Sequence, residues 1–152
     1  MTYFKQYIIL FGGFSDTSQQ TKYLADLWLY DTRANIWINP TLPLATQKPD
    51  ARSSFTFLPH EGGAVLYGGY SRVKATATTK QTKGGGQAQR NVLKPLVHQD
   101  CFFLRIIPPV ADAPVNSPPT VRWERRKKPV NSPNPPRAGA TRTSPTHVTL
   151  QQ

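Results

Sequence analysis

The side chains able to do acid–base, nucleophilic or metal chemistry are few and scattered. His60 falls in a turn, His98 at the edge of a polar stretch and His147 in a proline-rich tail, with no paired carboxylates at suggestive positions. Proton transfer needs titratable groups held at matched positions, and this pattern supplies none. There is no Gly-x-Ser-x-Gly nucleophile elbow. Gly84-Gly85-Gly86 lacks the Gly-Lys-Ser/Thr ending of a phosphate loop and follows no strand, so it reads as a flexible linker. Cys101 is the only cysteine, which excludes an intramolecular disulfide and a cysteine-based metal cluster. Within an apolar run it reads as packing. The chain is therefore expected to be non-catalytic and to need no cofactor and no metal.

The remaining chemistry is charge. The 152 residues carry a formal charge of +11, distributed unevenly. Met1 to Arg72 hold six Lys/Arg and five Asp/Glu, whereas Val73 to Gln152 hold thirteen against three. The excess lies in two stretches, one with Lys74, Lys80, Lys83, Arg90 and Lys94, the other with Arg122, Arg125, Arg126, Lys127 and Lys128. Such runs either attract an acidic partner, nucleic acid or an anionic membrane surface, or keep a solvated insert and linker in solution. Neither spaced zinc ligands nor a nucleic-acid motif accompanies them. The apolar run Tyr7 to Phe11 is too short for a signal-peptide core, and nothing approaches the roughly 18 apolar residues of a membrane span. With one cysteine, a reducing compartment fits, and the protein is expected in the cytoplasm, with the nucleus as the alternative.

The elements that must carry these groups read as strands. Gln6 to Phe11 is a β-branched and aromatic run closed by Gly12-Gly13, the pattern of a buried strand. It recurs as Gly63 to Tyr67 closed by Gly68-Gly69, and Phe14-Ser15 is echoed by Tyr70-Ser71. Each pair is followed by a strand-turn-strand pattern: Asp26 to Asp31 with Trp37, then Asp100 to Leu104 with Trp123 after a longer connection. Arg52 and Arg137 open a further segment in each copy, and their spacing agrees with that of Trp37 and Trp123 to within one residue. The glycine pairs lie closer together because extra material follows the second, in residues 74–95 and 108–120. This is a repeat of about four strands per unit.

The residues Ile8-Ile-Leu-Phe-Gly-Gly13, Asp26-Leu-Trp-Leu-Tyr30, Trp37 and Arg52-Ser53-Ser54, echoed by Val65-Leu-Tyr-Gly-Gly69, Asp100-Cys-Phe-Phe-Leu104, Trp123 and Pro136-Arg137, resemble the kelch repeat. Within that group the chain looks most like the kelch domain-containing protein 4 family and fungal kelch-repeat proteins. It departs from the pattern at Phe103, which stands where a tyrosine would be, and in the long connection before Trp123. The resemblance implies an all-β fold, a fragment of a kelch β-propeller with four-stranded antiparallel blades, a disordered basic insert and a Pro-rich tail. It implies a partial blade over 6–38 and a second blade over 50–124 that contains the insert 74–95 and the loop 108–120. A basic, proline-rich segment over 125–152 would open a third blade at 136–142.

Physical expectations follow for the motif residues. Gly12, Gly13, Gly68 and Gly69 should take positive φ where backbones approach closely. Trp37 and Trp123, each with about 150–250 Å² to bury, should pack between blades. Tyr30 should be core with its hydroxyl satisfied nearby. Arg52 and Arg137 should either bond loop carbonyls or face a partner. The leading functional reading is a protein-binding scaffold using loops and insert, built as a piece of a longer propeller, because a lone pair of repeats is marginal. The alternatives are a basic module binding RNA or another polyanion through 74–94 and 122–128, and a fragment of a kelch-like copper oxidase using His98 or Cys101.

Overall fold

The computed structural model describes residues 1–80 and 87–133, and for 77–80 and 87–91 the backbone alone. Among these residues the chain is all-β, and every strand pairing is antiparallel. Four strands make the first sheet: β1 (Thr2–Phe4), β2 (Tyr7–Phe11), β5 (Leu27–Asp31) and β6 (Ile36–Ile38), adjacent in that order. Four more make the second, β7 (Thr56–His60), β8 (Gly63–Tyr67), β11 (Cys101–Ile107) and β12 (Thr120–Arg126), again adjacent in chain order. Both sheets are thus meanders with the same path. The connection between second and third strand of each sheet is itself a two-stranded ribbon. It is β3 (Phe14–Asp16) with β4 (Thr21–Tyr23) in the first, and β9 (Tyr70–Lys80) with β10 (Gln87–Val97) in the second.

Two of these elements differ from the sequence reading. The first unit, expected to start incomplete at residue 6, has an edge strand, because Thr2, Tyr3 and Phe4 pair with Ile9, Ile8 and Tyr7. Of the basic insert 74–95, expected to be disordered, residues 74–80 and 87–95 belong to a ladder running from Tyr70↔Val97 to Lys80↔Gln87, while 81–86, with Gly84-Gly85-Gly86, lie outside the described residues. Its two strands pair along eleven residues each. Val73, Ala75 and Ala77 alternate with Lys74, Thr76 and Thr78, but alanine makes that alternation weak and Gln87 to Val97 shows none, so a pattern search passes over it.

The core lies between the two sheets. Tyr7, Ile9, Phe11, Leu27 and Leu29 of the first face Phe57, Ala64, Leu66, Phe102, Leu104, Ile106, Val121 and Trp123 of the second, all buried in one cluster. Alternation explains the assignment. In β2 and β5 every second residue is buried, and the residues between them, Ile8, Leu10, Trp28 and Tyr30, point to the opposite face. Phe11 meets Trp123 edge-on with ring centroids 5.1 Å apart, a favoured aromatic geometry across the sheet interface. With Phe102 also edge-on to it at 6.3 Å, Trp123 is 4% exposed.

Candidate functional site: the glycine turns, the buried arginine and the outer faces

The glycine pairs turn the chain identically in the two sheets. Gly12 N–H donates to the Asp26 carbonyl and Gly68 N–H to that of Asp100, both at 3.1 Å; Leu24 N–H reaches Gly13 O as His98 N–H reaches Gly69 O, both at 2.9 Å. These bonds fix the correspondence between sheets: Asp26 matches Asp100, Trp28 matches Phe102, Tyr30 matches Leu104, and Trp37, paired with Tyr30, matches Trp123, paired with Leu104. All four glycines have positive φ, 62° at Gly12, 99° at Gly13, 68° at Gly68 and 110° at Gly69. A Cβ at Gly12 would stand 2.6 Å from the Arg52 carbonyl oxygen and one at Gly69 2.9 Å from that of Ser53. The short segment Arg52-Ser53 is therefore wedged between the two turns.

Arg52 joins the sheets. Its N–H donates to Leu24 O at 3.1 Å and its carbonyl accepts from Gly13 N–H at 2.8 Å, while Ser53 and Tyr70 exchange both backbone bonds at 2.8 Å. Its guanidinium, fully buried, donates to the carbonyls of Gly68 and Asp50 at 3.0 and 3.1 Å and forms a two-pronged ion pair with Asp100. A buried guanidinium is tolerated where its donors are met this fully. Burial would push the Asp100 carboxyl up, yet hydrogen bonding and charge from Arg52 hold it below its ordinary value. Of the two roles the sequence leaves open for Arg52, its guanidinium here bonds loop carbonyls, and Asp100, read in the sequence only as the start of a strand, is its counter-ion. The matching Asp26 accepts instead from Trp28 Nε1 at 3.0 Å.

Beside this pair Ser71 Oγ and His98 Nε2 form a buried 2.8 Å hydrogen bond, also missed from the sequence because 27 positions separate them. Desolvation, reinforced by Arg52, lowers the His98 pKa. Burial raises that of the Cys101 thiol. His60 is exposed, at the end of β7, with its ring edge-on to Phe103. His147 lies outside the described residues. Among the described residues no three His, Cys, Asp or Glu side chains converge as a metal site, and no helix is long and apolar enough to cross a membrane.

The outer faces diverge. On the first sheet Tyr3, Ile8, Tyr30 and Trp37 follow one another in register across all four strands. Trp37, expected between blades, is 57% exposed, and Tyr30, expected in the core, is only half-buried beneath it, with ring centroids 5.1 Å apart and its hydroxyl on Asn35 at 3.2 Å. The reason is the alternation above: these positions point away from the second sheet. On the second sheet's outer face Phe103 is covered by the guanidinium groups of Arg105 and Arg126, 5.1 and 5.0 Å from its ring centroid. Glu124 accepts from Arg105 at 2.8 Å and Arg122 at 3.0 Å, and these bonds hold its carboxyl below its ordinary value.

The basic candidates are spread out. Arg125, Arg126, Lys127 and Lys128 line one cleft with Tyr67, Asp100 and Cys101. Lys74 is exposed on β9, near Val92 and Leu93 beside the β3–β4 loop. For Lys80 only the strand backbone is described, and Lys83 and Arg137 lie outside the described residues. No family model and no solved structure matches the chain.

Proposed function

We propose that this chain is a non-catalytic protein-binding module, two blades of a kelch-type β-propeller whose long ribbon is the contact arm. The strand order shared by the sheets and the matched glycine turns support the blade reading. The observation that carries the binding role is the surface of the ribbon. Its base is anchored where Ser71 bonds His98, and along it Val73, Val92 and Leu96 on one face and Leu93 and Val97 on the other are each at least 40% exposed. Apolar residues on both faces of an exposed arm mark an interaction surface, and the outer edges of the ribbon, which pair with no further strand among the described residues beyond the Ser53–Tyr70 bridge, offer backbone donors and acceptors to an incoming strand. Arg72, Lys74 and Lys94 among them favour a partner with acidic side chains near its apolar contacts.

The test is a comparison of the intact chain with one in which residues 74–95 are replaced by a tight turn, both carrying a photocrosslinker at Tyr70. A specific protein adduct that forms with the intact chain, survives nuclease and high salt, and disappears with the shortened ribbon supports this reading. Adducts unchanged by shortening the ribbon would refute it. The four cations lining one cleft support a second reading, polyanion binding. It predicts RNA retention that falls steeply with salt and is lost on neutralising Arg125 and Lys127.

A further inference from the structure

The correspondence between the sheets has a consequence for the uncovered face of the first. Leu66, Phe102, Leu104 and Trp123 are among the residues with which the second sheet packs onto the first. Their counterparts, Leu10, Trp28, Tyr30 and Trp37, make up the outer face of the first sheet, where Leu10 is 37% and Trp37 57% exposed. By the same register, Phe11, Leu27 and Leu29, which receive the second sheet, correspond to Tyr67, Cys101 and Phe103 on the second sheet's outer face. Each chain thus carries both halves of an interface it has already built once internally.

We infer that this face takes a second copy of the chain, head to tail, with the outer face of one copy's first sheet packed on the outer face of the next copy's second sheet. In that arrangement Trp37 meets Tyr67 of the second copy as Trp123 meets Phe11 within the chain. The chemistry of the two faces is complementary. Tyr3, Tyr30 and Trp37 present aromatic rings, while Arg105, Arg122 and Arg126 present guanidinium groups, with side chains 35%, 51% and 54% exposed. Arginine over tryptophan or tyrosine gains cation–π attraction. Because the two faces differ, the contact is heterologous, and its repetition closes into a ring or runs on as a filament. On the propeller reading proposed above, and with two described sheets per copy, closure at propeller size takes about two to four copies.

The test is sedimentation velocity on the full chain over a concentration series, with Trp37→Glu and Tyr67→Glu as the two face variants and circular dichroism confirming that each keeps its β-sheet signal. The intact chain should sediment at about two to four times the monomer mass. Each variant alone should be a monomer. An equimolar mixture should give a one-to-one dimer and nothing larger, because each variant retains one intact face of opposite kind. A monomeric intact chain, a Trp37→Glu variant with unchanged mass, or folded variants that stay monomeric when mixed would each overturn the inference. None of these results touches the ribbon, so the protein-binding reading stands or falls separately.

Discussion

The two sheets share a path, a glycine turn and a hairpin position, and they differ in what secures the turn and what covers the outer face. In the second, a buried arginine ties its own turn to the first sheet's, and guanidinium groups cover Phe103. In the first, Asp26 holds only the indole of Trp28, and the aromatic rows lie open. One backbone plan therefore supports two kinds of surface. What distinguishes them is the side chain at each alternating position, since pleating sends successive residues to opposite faces. The same position is core in one sheet and surface in the other, and the tryptophans measure that difference most directly. Trp123→Ala should cost about 3–5 kcal/mol, as loss of a buried aromatic does. Trp37→Ala, measured at a dilution where the chain is monomeric, should cost less than about 1 kcal/mol, mainly its stacking on Tyr30. Urea unfolding of both variants checks this, and equal losses would break the comparison.

Next in size comes the arginine lock. Arg52→Met leaves Asp100 without its counter-ion and should lose about 3 kcal/mol. Asp26→Ala removes one exposed hydrogen bond in the matching place and should lose roughly 1 kcal/mol or less. The wedge itself is probed by Gly12→Ala. Both the left-handed backbone and the 2.6 Å approach to the Arg52 carbonyl oppose a Cβ there, for about 1–3 kcal/mol. Gly13→Ala, where the added carbon meets nothing within 4 Å, should cost less.

The lock also fixes a direction of pH dependence. Asp100 and His98 both have folded pKa values below their ordinary ones. Between the folded and unfolded values the unfolded chain binds more protons, so stability falls with falling pH. The loss should begin as pH drops below the ordinary histidine value of 6.5 and deepen below the carboxyl value of 3.8. In Arg52→Met the acid-side slope below 3.8 should shrink. A urea midpoint independent of pH from neutral to acid would contradict it.

Much of this plan is written in local patterns. The apolar runs before Gly12-Gly13 and Gly68-Gly69, and the strand-turn-strand around Asp31 and Asn35, depend on neighbours in sequence, so periodicity and turn chemistry expose them. The rest depends on partners distant in sequence. β1 is three residues long and exists through its pairing with β2. The ribbon exists through the pairing of Tyr70–Lys80 with Gln87–Val97, partners up to 27 positions apart. Trp37 and Trp123 look alike in the chain, and only the stacking of one sheet on the other makes one of them core. Asp100 and His98 acquire meaning from Arg52 and Ser71, 48 and 27 positions away.

The smallest effect is expected on the outer face of the second sheet, and salt is what makes it informative. Glu124 there is the shared acceptor for Arg105 and Arg122 and pairs with Arg126 at 3.5 Å. Glu124→Gln keeps the shape but leaves three cations facing one another. Exposed pairs of this kind contribute little, so the loss should stay below about 1 kcal/mol. Because the unmasked repulsion acts through solvent, it should be visible at low ionic strength and fade as the Debye length contracts to about 10 Å at 0.1 M salt. Arg52→Met, whose missing partner lies in the buried lock, should show nearly the same loss at both ionic strengths. Urea midpoints for the two variants at low and high salt then separate the electrostatics of a covered surface from those of a buried joint. A salt-independent loss in Glu124→Gln would mean that the carboxylate orders the guanidinium groups over Phe103 instead of merely neutralising them.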